Sequence, residues 1–107
     1  MCIYKIEEIA ERVRPVAERY GITKVYLFGS YARGEATEES DVDLMISYQS
    51  LKGAFAIGGI YVDFKEALDK SVDIVSERAI TSDYTSDLGK KLYSNIEREG
   101  VLIYAEK

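Results

Sequence analysis

The sequence predicts an α+β fold, an α/β sandwich in which helices pack on one small mixed β-sheet. Three observations predict it. Apolar residues recur at helical spacing in three long stretches, and short β-branched or aromatic runs stand between them. The two kinds of segment follow one another in the order α-β-β-α-β-α-β. Composition is ordinary for a globular chain, with 47% hydrophobic and 31% charged residues, which argues against disorder. The 107 residues suffice for one packed core, so residues 1–107 are expected to form a single domain.

Each element has its own signal. Ile3, Ile6, Ala10, Val13, Ala17 and Tyr20 mark one face of a first helix, with Glu7, Glu8, Glu11, Arg12, Glu18 and Arg19 on the other. Gly21 is the left-handed cap that ends it. Pro15, the only proline, falls inside and predicts a kink or a second segment there. Ile22–Phe28 reads as a strand, closed by Gly29-Ser30. Tyr31–Arg33 starts a short helix, and Gly34–Ser40 is a polar, acidic loop. Val42–Ser47 is the second strand. From about Ala54 to Lys70 a helical stripe carries Ile57, Tyr61, Phe64 and Leu68, weakened at its start by Gly58-Gly59. In the glycine-rich stretch 53–60, Ala54, Phe55, Ile57 and Ile60 read as core, with a partner contact as the alternative. Ser71–Ser76 is the third strand. Thr81 or Thr85 caps a last helix bearing Tyr84, Leu88, Leu92 and Ile96, Gly100 ends it, and Val101–Tyr104 is the terminal strand.

Composition excludes several classes of chemistry. There is no histidine, so imidazole metal sites and Ser-His or Cys-His catalysis are excluded. A single cysteine, Cys2, excludes an intrachain disulfide and a cysteine-based zinc cluster. The formal charge is −5 and the basic residues are scattered, only Lys90 and Lys91 being adjacent, so no strong nucleic-acid binding is expected. The start, MCIYKIEEIAERV, carries acids and no unbroken apolar run, so no signal peptide is expected. No window approaches the roughly 18 apolar residues of a membrane span. A reducing, cytoplasmic setting and no membrane partner are the expectations. Catalysis, if any, falls to carboxylates, hydroxyls, Lys/Arg and a hard cation.

The informative segment is FGSYARGEATEESDVDL, residues 28–44. Gly29-Ser30 follows an apolar strand and precedes a helical turn, where a phosphate can approach free backbone N–H groups and the Ser30 hydroxyl. On its own such a pair is an ordinary turn. Asp41 and Asp43 flank Val42, and along a strand residues two apart point to the same side. Carboxylates that close repel unless a cation lies between them, and oxygen ligands without histidine suit Mg²⁺ or Mn²⁺. On its own an Asp-x-Asp is a pair of solvated acids. Asp73 lies inside the apolar run Val72-Asp73-Ile74, which is costly unless it is paired, metal-bound or turned to water at a sheet edge. If the two strands are neighbours, the three acids converge. Together, phosphate donors and three strand-end carboxylates make a two-metal phosphoryl-transfer site.

The combination of GSYARG, SDVDL and the later VDIV resembles the DNA polymerase β-like nucleotidyltransferase superfamily, and within it the minimal nucleotidyltransferases (the MNT group). Members of that group act as antitoxins beside HEPN-domain toxins. The resemblance spans nearly the whole chain, from the first helix to the VLIY strand, and implies the polymerase β-like palm fold. It also implies roles. Gly29 and Ser30 would hold the β- and γ-phosphates of ATP. Asp41 and Asp43 would bridge two Mg²⁺ ions, with Mn²⁺ as an alternative. Asp73 would complete one metal site and help deprotonate the attacking hydroxyl. Arg33 would either neutralise phosphate charge or steady the loop through Glu35, Glu38 or Glu39. Ser40 would act as a cap or supporting donor. No position departs from the pattern at the three acids.

These 107 residues leave little surface for an acceptor of their own, and relatives acting on tRNA ends or antibiotics carry extra domains. The resemblance therefore implies AMP transfer from ATP to a hydroxyl of a HEPN-type toxin, encoded nearby. Two alternatives stand beside it: a non-catalytic antitoxin that works by occlusion, and a transferase acting on a tRNA end or a small molecule.

Overall fold

A computed structural model of the chain describes residues 3–49, 56–77 and 87–106. Helix α1 spans Ile6–Tyr20, strand β1 Lys24–Phe28, the short helix α2 Ser30–Arg33 and strand β2 Val42–Ser47. Helix α3 spans Ala56–Leu68, strand β3 Val72–Ser76, helix α4 Asp87–Glu99 and strand β4 Val101–Ala105. Cys2, Ala54, Phe55, Thr81, Tyr84 and Thr85, and the side chains of Ile57 and Leu88, lie outside what is described.

The four strands form one sheet in the order β3-β2-β1-β4. β1 is antiparallel to both β2 and β4, while β2 and β3 run parallel. The sheet is therefore mixed, as expected. Alternation along β2 sets its two faces. Val42, Leu44 and Ile46 point into the main core, which α1 and α3 complete, and Asp43 and Met45 point the other way. On that second face Ile96 of α4 closes over Met45 and Tyr26. The helices thus lie on both sides of the sheet.

The first helix starts at Ile6, later than the sequence pattern suggests, and Ile3 stays half exposed. The backbone N–H of Lys5 donates to Glu8 Oε1 at 2.9 Å and fixes that start. Its buried stripe is Ile9, Val13, Val16 and Ala17. Pro15 neither ends nor divides the helix, which runs unbroken to Tyr20. Pro15 and Glu11 are both exposed, so the Glu11 carbonyl that loses its partner can turn to water. Gly21 is left-handed at φ 78° and caps the helix as expected.

On α3 the buried stripe is Ile60, Phe64 and Leu68, one residue round the helix from Tyr61, which is exposed rather than core. Among the described residues no helix is long and apolar enough to cross a membrane.

The α1–α3 seam is tied by polar bonds as well as apolar packing. Tyr20 donates its hydroxyl to Asp63 Oδ2 at 2.7 Å, Arg19 pairs with the same oxygen at 3.2 Å, and Arg12 donates to the Ala67 carbonyl at 3.0 Å. Gly59 makes the Tyr20 approach possible, since a Cβ there would lie 2.6 Å from the Tyr20 hydroxyl. Gly58 beside it faces open space. The two glycines therefore respond oppositely to a methyl group. Gly58→Ala should stabilise the chain by about 0.5–1 kcal/mol through helix propensity. Gly59→Ala should gain nothing or lose stability, because Tyr20 must leave Asp63. Urea denaturation of both variants checks this, and an equal gain for Gly59→Ala would contradict the close approach.

Candidate active site

β2 lies between β1 and β3, and the two ladders fix what stands beside Asp43. On one side its register partner is Phe28, and on the other it is Asp73. The acids predicted to converge are thus cross-strand neighbours on the α4 side of the sheet, Asp43 partly buried and Asp73 exposed. Asp41 lies just ahead of β2 and is exposed, two residues from Asp43. Val42 holds this junction by donating its N–H to the Ser71 carbonyl at 3.0 Å.

Gly29 follows Phe28 directly. Its backbone sits at φ 75° and ψ −154°, a combination essentially confined to glycine. A Cβ there would collide with the Asp43 carboxylate oxygen Oδ2. Glycine is therefore required twice at this position, by its dihedral angles and by the carboxylate lying against its Cα. Ser30 opens α2, and its carbonyl accepts from the Glu35 N–H at 2.9 Å as the chain turns away through the left-handed Gly34. Tyr31 anchors the turn in the core.

Gly29, Ser30, Arg33 and Asp43 form one wall of a cleft of about 380 Å³. Phe28 lies at its base, and Leu92, Asn95 and Glu99 of α4 form the opposite wall. That volume falls within the range of small-molecule sites. The helical wall is not among the residues the sequence singled out for the site: Leu92 reads there as part of the last helix's apolar stripe, and Asn95 and Glu99 carry no motif. Their i, i+3, i+7 spacing was the available signal, but it does not say which strand end the helix faces. A larger hollow of about 1050 Å³, bordered by Gly21, Thr23 and Glu106, lies at the other end of β1. Four residue steps of strand, about 13 Å, separate Lys24 there from Phe28. The smaller cleft holds Asp43 and is the candidate site, with Asp73 across the parallel ladder just outside its lining.

Arg33 is engaged by two carboxylates. Its Nε donates to Glu35 at 2.8 Å and its Nη1 to Glu99 at 3.4 Å. Glu35 is one of the loop partners the sequence offered. Glu99 is not, and through it Arg33 braces α2 against α4. Ser40 caps its own loop, accepting from the Thr37 N–H at 2.8 Å. Lys70 fastens the same loop by donating to the Glu38 carbonyl at 2.8 Å.

The electrostatic consequence falls on Asp43. Burial raises its pKa first, followed by the charge and hydrogen bond of Asp73 and the charge of Asp41, with Arg33 opposing, and the value is pushed up to about 6. Asp43 thus gives up its proton only just below neutrality, with Asp73 and Asp41 beside it. Such a donor set, all oxygen and anionic, fits Mg²⁺ or Mn²⁺. Among the described residues no three ligating side chains already stand in a metal-binding group. Asp43 and Asp73 are the preformed part, and Asp41 is close in sequence.

Two predictions follow from this geometry. Asp43 binds its proton more tightly folded than unfolded, so its contribution to stability is present at low pH. It is lost as pH rises from about 4 through 6. Asp43→Asn should therefore melt higher than the parent chain at pH 7.5 without metal, with the gap closing toward pH 4; a constant gap across the titration would contradict the raised pKa. For Gly29→Ala, backbone strain alone should cost about 1–3 kcal/mol. The collision with Asp43 adds to it, so the same substitution should cost less in an Asp43→Ala background. Denaturation of the four chains of that cycle measures the difference, and strict additivity would show that the carboxylate does not press on Gly29.

Comparison with known proteins agrees with this architecture. Residues 6–103 match the family described as "Nucleotidyltransferase domain". Protein adenylyltransferase MntA of Thermococcus cleftensis is 29% identical over 86 residues, covering 77% of this chain and 87% of that one. A solved minimal nucleotidyltransferase superposes with a TM-score of 0.69 at 29% identity, covering 94% of this chain and 98% of that one. A complex of a tri-AMPylated HEPN toxin with its MNT antitoxin, from Shewanella oneidensis, matches with a TM-score of 0.63 at 18% identity. That match covers 94% of this chain and 73% of the other, and at this identity it speaks for the fold. With the family matched over residues 6–103, this chain belongs to the nucleotidyltransferase domain family and is an enzyme of the minimal nucleotidyltransferase type.

Proposed function

We propose that the chain transfers AMP from ATP to a hydroxyl group of a partner protein, and that the partner is a HEPN-type toxin silenced by the modification. The observation that carries this reading is the Asp43–Asp73 pair set against the backbone of Gly29. It joins an anionic, cation-seeking pair to a turn with room for a phosphate. The relative from Thermococcus cleftensis is named a protein adenylyltransferase, and the Shewanella oneidensis complex holds an AMPylated HEPN toxin, which supports the choice of acceptor. The reaction would run in the cytoplasm, where ATP is held.

In this reading Gly29 and Ser30 hold the β- and γ-phosphates. Asp41, Asp43 and Asp73 would hold Mg²⁺ or Mn²⁺, two ions in this reading, which would supply charge neutralisation to the triphosphate when bound. Asp73, the exposed member of the pair, accepts the proton of the attacking hydroxyl. A new bond forms between that oxygen and the α-phosphorus, the bond to the bridging oxygen breaks, and pyrophosphate leaves. Arg33, tied to Glu35 and Glu99, holds the turn in place at the edge of the cleft.

The test is transfer of labelled AMP onto a purified HEPN-type partner. The parent chain with ATP and Mg²⁺ should add AMP to the partner, seen by mass spectrometry, and EDTA should abolish it. An Asp41→Asn/Asp43→Asn variant should still dock on the partner but transfer nothing and fail to protect cells. A variant that protects fully while the partner stays unmodified would replace this reading with one of occlusion. Label appearing on a tRNA end or a small molecule would replace the acceptor.

A further inference from the structure

The α4 wall of the cleft carries, besides Glu99, an amide whose orientation is set by a neighbour. Arg98 donates from Nη2 to Asn95 Oδ1 at 2.6 Å. A guanidinium has only donors, so it must face the amide oxygen and not the amide nitrogen. Asn95 therefore keeps its Nδ2 hydrogens for another partner, and among the described residues that nitrogen makes no hydrogen bond. The cleft's apolar side chains are Phe28 at the base and Leu92 one turn before Asn95. The turn backbone, Arg33 and the Asp43 carboxylate thus occupy one wall, and Leu92, the Asn95 amide and the Glu99 carboxylate held by Arg33 occupy the other, with Phe28 between them. That division matches the two halves of a nucleotide.

We propose that Asn95 is a specificity-determining residue for the nucleotide: it donates from Nδ2 to a ring nitrogen of the base, which lies against Phe28 and Leu92. Arg98 is a positioning residue that acts through Asn95 by fixing its amide. The inference rests on the reading of the cleft as a nucleoside triphosphate site. It adds that recognition of the base comes from α4 and not from the glycine turn.

Calorimetric titration with Mg²⁺–ATP and, separately, Mg²⁺–tripolyphosphate tests it, because the second probe has no base or sugar. Asn95→Ala should weaken ATP binding about 3- to 10-fold, the loss expected for one neutral hydrogen bond, and leave tripolyphosphate binding unchanged. Asn95→Asp, which presents an acceptor in place of the donor, should weaken ATP at least as much. Arg98→Ala should weaken ATP less, and adding it to Asn95→Ala should cost nothing more. Unchanged ATP affinity in Asn95→Ala overturns the proposal while leaving the triphosphate reading intact. Equal weakening for both probes overturns it as well, since Asn95 would then serve phosphates or the fold. Failure of the parent chain to bind either probe overturns the nucleotide reading and this inference with it.

Discussion

The site depends on one contact, the Asp43 carboxylate lying against the Cα of Gly29. Everything around it serves to place a charged group where a side chain would otherwise be. β2 is a central strand, so its register is fixed from both sides, by Phe28 across the antiparallel ladder and by Asp73 across the parallel one. A slip of one residue would turn Asp43 into the core and Val42 and Leu44 out of it. The apolar residues of β2 thus protect the position of the acid between them. The loop that delivers Asp41 is held separately, by Ser40, Thr37 and Lys70, and does not disturb this register.

Holding these acids together runs against stability. Burial and two neighbouring carboxylates raise the pKa of Asp43, so at neutral pH the metal-free chain carries charge it would be more stable without. The opposite face of the sheet offsets the cost. Ile9, Val13, Leu27, Leu44, Phe64 and Leu68 are fully buried there, and each such side chain contributes roughly 1.5–3 kcal/mol. The division of labour follows from strand alternation: one face of β2 builds the core and the other carries the chemistry. A cation joining the pair would remove the repulsion, so ligand binding and folding pull on the same carboxylates.

The strands and the aspartates were legible because they depend on local signals. An apolar run broken at a single acid, as in Val72-Asp73-Ile74, shows that the acid has a reason to be there, and Gly29 after an apolar strand marks a turn only glycine can make. Pairing of Asp43 with Asp73 needed one further assumption, that their strands are neighbours, and the parallel register supports it. What sequence could not supply was rotation and reach. Tyr61 and Ile60 differ by one residue, about 100° around a helix, and the apolar pattern counted both as inward-facing where only Ile60 is buried. Pro15 looked like a break because the pattern does not show that it and Glu11 face water. The α4 wall stayed hidden for a related reason. Leu92 looks like any core residue until the sheet order shows that α4 crosses to the face bearing Asp43.

Charge decides how such a site can capture its ligand. The chain carries −5 overall, and the cleft itself holds Asp43 and Glu99. Its arginine is already matched by two glutamates, so the group Arg33, Glu35 and Glu99 is net negative. A nucleoside triphosphate approaching this surface meets repulsion, not steering. In the proposed function, capture rests on interactions that act only at contact: backbone N–H groups at the Gly29 turn, a cation between ligand and carboxylates, and the apolar and amide groups proposed on α4. Short-range capture of this kind is set by geometry, so the brace from Arg33 to Glu99 gains importance. It joins the Gly29 turn to the helix opposite and fixes the width of the cleft. A weakly attractive cleft of fixed width discriminates by shape and pairing, which suits a domain whose acidic surface gives its ligand no other guidance.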